Sequence, residues 1–196
     1  MPRPPRILEL LMGLSVILCA IMSFRSGTPE RALAGILQLT VGGLLMVSRP
    51  LQRTANPAQV ASSLPALAAG AIGLAIAAPW GDWNLATATM FSTGLILAVV
   101  SLLTLGRSFG VLPAARKPVC SGVYRWVRHP AYVGQLMMLT ACGLSNSLLL
   151  GLLIPLACLP LLALRIQAEE RLLGDTWTDY RLYMQRVRWR ICPMLW

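Results

Sequence analysis

The sequence predicts an all-α polytopic membrane protein with about six (five to six) transmembrane helices, on three observations. Apolar runs recur along the chain, only 12% of its 196 residues are charged against 56% hydrophobic, and the basic residues cluster between the runs. A soluble globule carries about a quarter charged residues, so the apolar excess here must face lipid.

A crossing helix needs about 20 apolar residues, with roughly 17 as the short limit, because each backbone N–H and C=O must be satisfied within the segment. The runs that come close are 7–24, 32–47, 63–78, 86–105, 131–144 and 148–164. Arg3 and Arg6 precede the first as they would in a signal peptide, but no A-x-A-like cleavage site follows, so a retained helix is predicted. Gly42-Gly43 and the stretch Ala68 to Gly73 are small enough to let helices approach closely. Only Ser145, Asn146 and Ser147 separate the short fifth run from the sixth, which predicts a tight helical hairpin whose ends extend past the apolar stretch. Five spans with one re-entrant segment is the lower count. Trp177, Tyr180, Met184 and Val187 recur at helical spacing opposite Arg181 and Arg188, which predicts a C-terminal cytoplasmic interfacial helix lying on the membrane.

With 17 Lys and Arg against 7 Asp and Glu, the chain has a net charge of +10. The charges form clusters between apolar runs, which suits lipid head groups and leaves no nucleic-acid partner to expect. Six spans starting from a cytoplasmic N-terminus put every one of the 17 except Arg25 and Arg31 on the inside. Both termini are therefore predicted cytoplasmic, in a multi-pass protein of an inner or plasma membrane. Cys19, Cys120, Cys142, Cys158 and Cys192 contain no C-x-x-C pair, so neither a disulfide framework nor a metal site is expected. Glu9, the one acid within the early spans, lies one turn from Arg6 and reads as a head-group or ion-pair residue.

Chemistry concentrates in two later stretches. Gly122-Val123-Tyr124-Arg125-Trp126-Val127-Arg128-His129-Pro130-Ala131-Tyr132-Val133-Gly134 holds the single histidine. Pro130 suits the first turn of a helix, which puts His129 at or beside the N-cap of the fifth span. Helix N-termini offer free N–H groups and a positive field, a seat for a carboxylate or phosphate. The second stretch follows the sixth span, with Arg165, Glu169, Glu170 and Arg171, then Trp177, Tyr180, Tyr183, Arg186, Arg188, Trp189 and Arg190. Adjacent carboxylates at the end of an apolar helix need a cation to meet them, either a ligand or Arg165 one turn earlier.

The pattern G-x-Y-x-x-x-R-H-P-x-Y-x-G, filled by Gly122, Tyr124, Arg128, His129, Pro130, Tyr132 and Gly134, is followed by E-E-x-x-L at Glu169, Glu170 and Leu173, then by Tyr180, Tyr183 and Arg186. Over roughly residues 104–193 this resembles the superfamily of isoprenylcysteine carboxyl methyltransferases and phospholipid N-methyltransferases. The resemblance implies S-adenosylmethionine as cofactor and a lipophilic small-molecule or lipid-anchored acceptor. It divides the chain into an N-terminal four-span region, 1–105, and a methyltransferase-like region with the cofactor pocket, 106–196. By the same resemblance, Tyr124, Arg128, His129, Tyr132, Glu169 and Glu170 bind cofactor, Arg186, Tyr180 and Tyr183 bind acceptor, and Arg186, Glu170 and His129 are the catalytic set. O-methylation of an isoprenoid or lipid-like carboxylate is the first reading. Phospholipid amine N-methylation, an NADPH-dependent membrane reductase and a non-catalytic membrane protein are the alternatives. Two departures stand out: Gly174 to Tyr180 lacks the family's Phe-Gly, and Arg-Val-Pro becomes Arg186-Val187-Arg188.

Overall fold

The computed structural model describes residues 6–25, 27–48, 53–54, 83–110 and 114–193. Its α-helices are α1 (Arg6–Arg25), α2 (Pro29–Val47), α3 (Leu85–Leu105), α4 (Pro130–Asn146), α5 (Leu148–Thr176) and α6 (Thr178–Arg186). Short 3-10 turns occupy Gly106–Ser108 and Gly122–Arg125. A two-residue antiparallel ladder pairs β1 (Arg53–Thr54) with β2 (Ala114–Ala115), Arg53 opposite Ala115 and Thr54 opposite Ala114. Five of the six apolar runs thus become helices, while the run 63–78 and its small residues Ala68 to Gly73 lie outside the described residues.

Local chemistry sets the helix ends. Asn84 and Thr87 form a reciprocal capping box at the start of α3, each satisfying the other's backbone N–H. Gly106, with φ +50°, turns the chain out of α3 in a conformation that L side chains resist. The hairpin of α4 and α5 turns on Ser147 alone: its N–H donates to Gly143 C=O at 2.9 Å, and its Oγ accepts from Leu150 N at 3.2 Å. Beside it, a Cβ on Gly143 would lie 2.7 Å from Gly151 Cα, so the two helices touch backbone to backbone.

The other close pairs use the same device. Gly42 of α2 meets Gly13 and Ile17 of α1, whereas its neighbour Gly43 faces open space. Gly94 of α3 and Gly134 of α4 face each other, each so close that a Cβ would collide with the opposite backbone. The core beneath that crossing consists of Phe91, Leu95, Ala98, Met138, Ala141 and Cys142.

Two described helical stretches, Leu85–Ser108 and Leu148–Thr176, are long and apolar enough to cross a membrane. Leu11, Leu14, Leu18, Ile96, Leu103, Leu152 and Leu156 are all exposed, giving the outer face an apolar surface suited to lipid. Pro155 and Pro160 sit within α5, where membrane helices tolerate proline because neighbours re-satisfy the freed carbonyls. The prediction for α6 needs correction: Tyr180 and Tyr183 are buried against Tyr124 and Val187, with Trp177 and Met184 packed alongside, so its apolar face is covered by protein and not by lipid.

The α3–α4 contact gives a direct expectation. Gly134→Val forces the two backbones apart and costs about 1–3 kcal/mol, as overpacking does, while Gly43→Ala changes little. Thermal unfolding in detergent should show a clear drop for the first alone. Equal melting temperatures for the two variants would contradict the close crossing.

Candidate active site

The N-terminus of α4, the end of α5 and the tail after α6 meet at Glu170. His129 is the N-cap of α4 with Pro130 in the first turn, as the sequence implies. The backbone N–H groups of Arg128 and His129 donate to the Trp189 and Arg190 carbonyls at 2.9 and 2.8 Å, fixing the tail against them. The anion seat expected from backbone N–H groups is therefore partly filled by protein. Side chains supply what remains.

Glu170 Oε1 accepts from Arg128 Nη1 at 2.9 Å and from His129 Nε2 at 3.1 Å, and its Oε2 accepts from Arg190 Nε at 2.9 Å. A carboxylate only accepts, so the His129 proton facing it sits on Nε2. Glu169, one residue earlier, turns to a different side. Its Oε1 accepts from Tyr132 Oη at 2.7 Å and from Arg165 Nε at 3.1 Å, while its Oε2 lies 4.0 Å from His129 Nδ1. Arg165 Nε also donates to Tyr132 Oη at 2.6 Å, and the His129 and Tyr132 rings stack at 5.6 Å. Three guanidinium groups thus face two carboxylates.

A cavity of about 410 Å³ opens beside this network, within the size range of small-molecule sites. Arg128, His129, Tyr132, Arg165 and Glu169 line its polar end, with Tyr124, Tyr180 and Tyr183 nearby. It continues between Leu37 and Val41 of α2, Ala98, Leu102 and Leu105 of α3, and Met138 of α4, crossing the division at residue 105 that the sequence suggests. Tyr183 Oη donates to the Tyr124 carbonyl at 2.7 Å, and Tyr124 Oη donates to the Ser101 carbonyl at 3.3 Å, linking α6 to α3. Burial pushes all three of these phenols well above their usual range, and the field of Glu169 adds to it for Tyr124, as that of Glu170 does for Tyr180. They stay protonated donors.

Seven of the residues singled out in the sequence, Tyr124, Arg128, His129, Tyr132, Glu169, Tyr180 and Tyr183, come together on the wall. Two do not. Glu170, with a 6% exposed side chain, stands behind the wall and holds Arg128, His129 and Arg190 in place. Arg186 is exposed and away from the cavity, because α6 ends there and turns its tyrosines inward. Sequence reasoning gave no site role to Gln135, Arg116, Lys117 or Arg190. Gln135 had a signal, a polar side chain in an apolar run one turn after Ala131; the others lay among many basic residues with nothing to distinguish them.

Residues 85–175 match the model of the isoprenylcysteine carboxyl methyltransferase (ICMT) family. This segment belongs to that family. It begins with α3 and carries Tyr124, Arg128, His129, Tyr132, Glu169 and Glu170, while α1, α2, α6 and the tail fall outside the match. No curated protein sequence matches the chain. The matched segment is that of a membrane methyltransferase family, and the cavity is lined by residues of that segment and by residues beyond it.

The two glutamates separate in a stability experiment. Glu170→Gln leaves the buried Arg128 guanidinium without its carboxylate and costs about 3 kcal/mol. Glu169→Gln, whose carboxylate is the more exposed of the two, costs less. Denaturant or thermal titration of the purified variants checks this, and a larger loss at Glu169 would reverse the assignment.

Proposed function

We propose that the protein is an S-adenosylmethionine-dependent methyltransferase, multi-pass, with its site at the cytoplasmic membrane edge and a membrane-borne carboxylate as acceptor. The observation that carries this reading is the pairing of opposite charges on one wall: Arg128 and His129 beside Glu169, in a cavity that continues into apolar residues.

The donor set fits the zwitterionic cofactor. Arg128 Nε is buried with no hydrogen-bond partner among the described residues, an open donor for a carboxylate. Glu169, its Oε1 held by Tyr132 and Arg165, keeps Oε2 for an ammonium. Glu170 serves by positioning Arg128 and His129, a change from direct contact. Tyr180 and Tyr183 remain in the proposal as aromatic wall; Arg186 does not, given its place on the outer face.

Bound there, the cofactor supplies an electrophilic methyl group on sulfonium. The chain contributes alignment and a preorganised field, since Glu169, Arg165, Tyr132 and His129 already hold one another before a ligand enters. An acceptor carboxylate is nucleophilic at neutral pH and requires no general base. Lys117 on the cavity wall favours an anionic head group, and Leu37, Val41, Leu102 and Met138 favour a lipid-like or isoprenoid body. Methyl esters of that kind are the product class.

Calorimetry with S-adenosylhomocysteine should give one site in the purified protein. Arg128→Ala and Glu169→Gln should each weaken it by tenfold or more, about 1.4 kcal/mol, while Arg186→Ala stays within about twofold. Labelled methyl transfer into a total lipid extract should yield a base-labile product. An intact fold with no binding would remove the cofactor reading, and a base-stable label would move the acceptor to an amine.

A further inference from the structure

Glu9 lies in the first turn of α1, more than a hundred residues from the network above, and outside the family segment. Its Oε1 forms an ion pair with Arg116 Nη2, and its Oε2 accepts from Ser48 Oγ, just past α2, at 3.0 Å. Glu9 is thus in an ion pair, with Arg116 as partner where the sequence pointed to Arg6. Arg116 is 4% exposed and lines the cavity. Its Nη1 donates to Phe109 C=O at 2.6 Å, and the guanidinium lies so close over Gly110 that a Cβ there would overlap it. Ser108, Phe109, Gly110, Arg116 and Lys117 together form one side of the cavity. Arg107 Nε donates to Val47 C=O at 3.2 Å, and the ladder of β1 with β2 fastens the same region to the chain after α2.

A guanidinium at this burial depends on the charges that face it, so removing Glu9 loosens Arg116 and the backbone that it holds. Ser48 and Phe109 hold the two ends of the pair, so its geometry is fixed from both sides. We infer that Glu9 is a positioning residue of the cavity, acting through Arg116 to hold the 107–110 and 114–117 wall in place. The binding arm of the test rests on the cofactor reading above; the structural arm does not. A pair that merely pinned α1 to the bundle would alter stability and leave the cavity as it was, since α1 already packs along α2 through Gly13 and Gly42.

Hydrogen exchange and S-adenosylhomocysteine calorimetry on the full chain in detergent decide between these. In Glu9→Ala, the amides of 107–110 and 114–117 should exchange faster while those of α5 stay unchanged, and affinity should fall on the order of tenfold. Glu9→Gln, which keeps one acceptor oxygen and loses the charge, should fall between. Unchanged exchange in that wall overturns the inference, as does faster exchange with wild-type affinity. If the wild-type protein itself fails to bind, the cofactor reading is lost, and the exchange measurement still decides whether Glu9 holds the wall.

Discussion

A carboxylate with 6% of its side chain exposed has to be neutralised where it stands, and at Glu170 three parts of the chain meet. Arg128 and His129 belong to the start of α4, Glu170 itself to the last turns of α5, and Arg190 to the tail. None of these segments could be moved without exposing an unpaired charge. The constraint therefore fixes the hairpin's open end, the tail's path beside the Arg128 and His129 amides, and through them the orientation of His129. Glu169 inherits its place from the same turn of helix, rotated by about 100°, which is why one acid faces the cavity and the other the tail.

This arrangement suits a site at a membrane edge. α5, at 29 residues, is about 43 Å long, while the hydrocarbon core is about 30 Å thick. With Leu148 to Leu164 in lipid, Arg165, Glu169 and Glu170 stand in the head-group zone, where ions can be kept. The apolar wall of α2 and α3 then continues from that zone toward the hydrocarbon.

Much of this was legible in the sequence, and the reasons are local. The start of α4 was marked by Pro130, the hairpin by a three-residue gap, and the polar wall by two motifs whose spacing survives folding. Side selection was not legible. Glu169 and Glu170 are equivalent in a motif, and only the tail's docking tells them apart. Arg186 and Arg190 also look interchangeable in an arginine-rich tail; the helix stops at Arg186, and the extended chain beyond it carries Arg190 back to Glu170. The apolar stripe of α6 has the same period whether lipid or protein covers it, so periodicity could show the face but not its partner. Leu37 and Val41 gave no signal at all, because their role depends on a contact far away in sequence.

That last point bears on how the chain divides its work. The family segment holds all of the charged network around Glu170 except Arg190, yet the cavity is not closed by that segment alone: α2 supplies Leu37 and Val41, α6 supplies Tyr180 and Tyr183, and Glu9 of α1 pairs with Arg116 in the wall. The apolar wall is shaped in part by the side chains that α2 brings to α3, so part of the cavity belongs to a region that the family match does not cover.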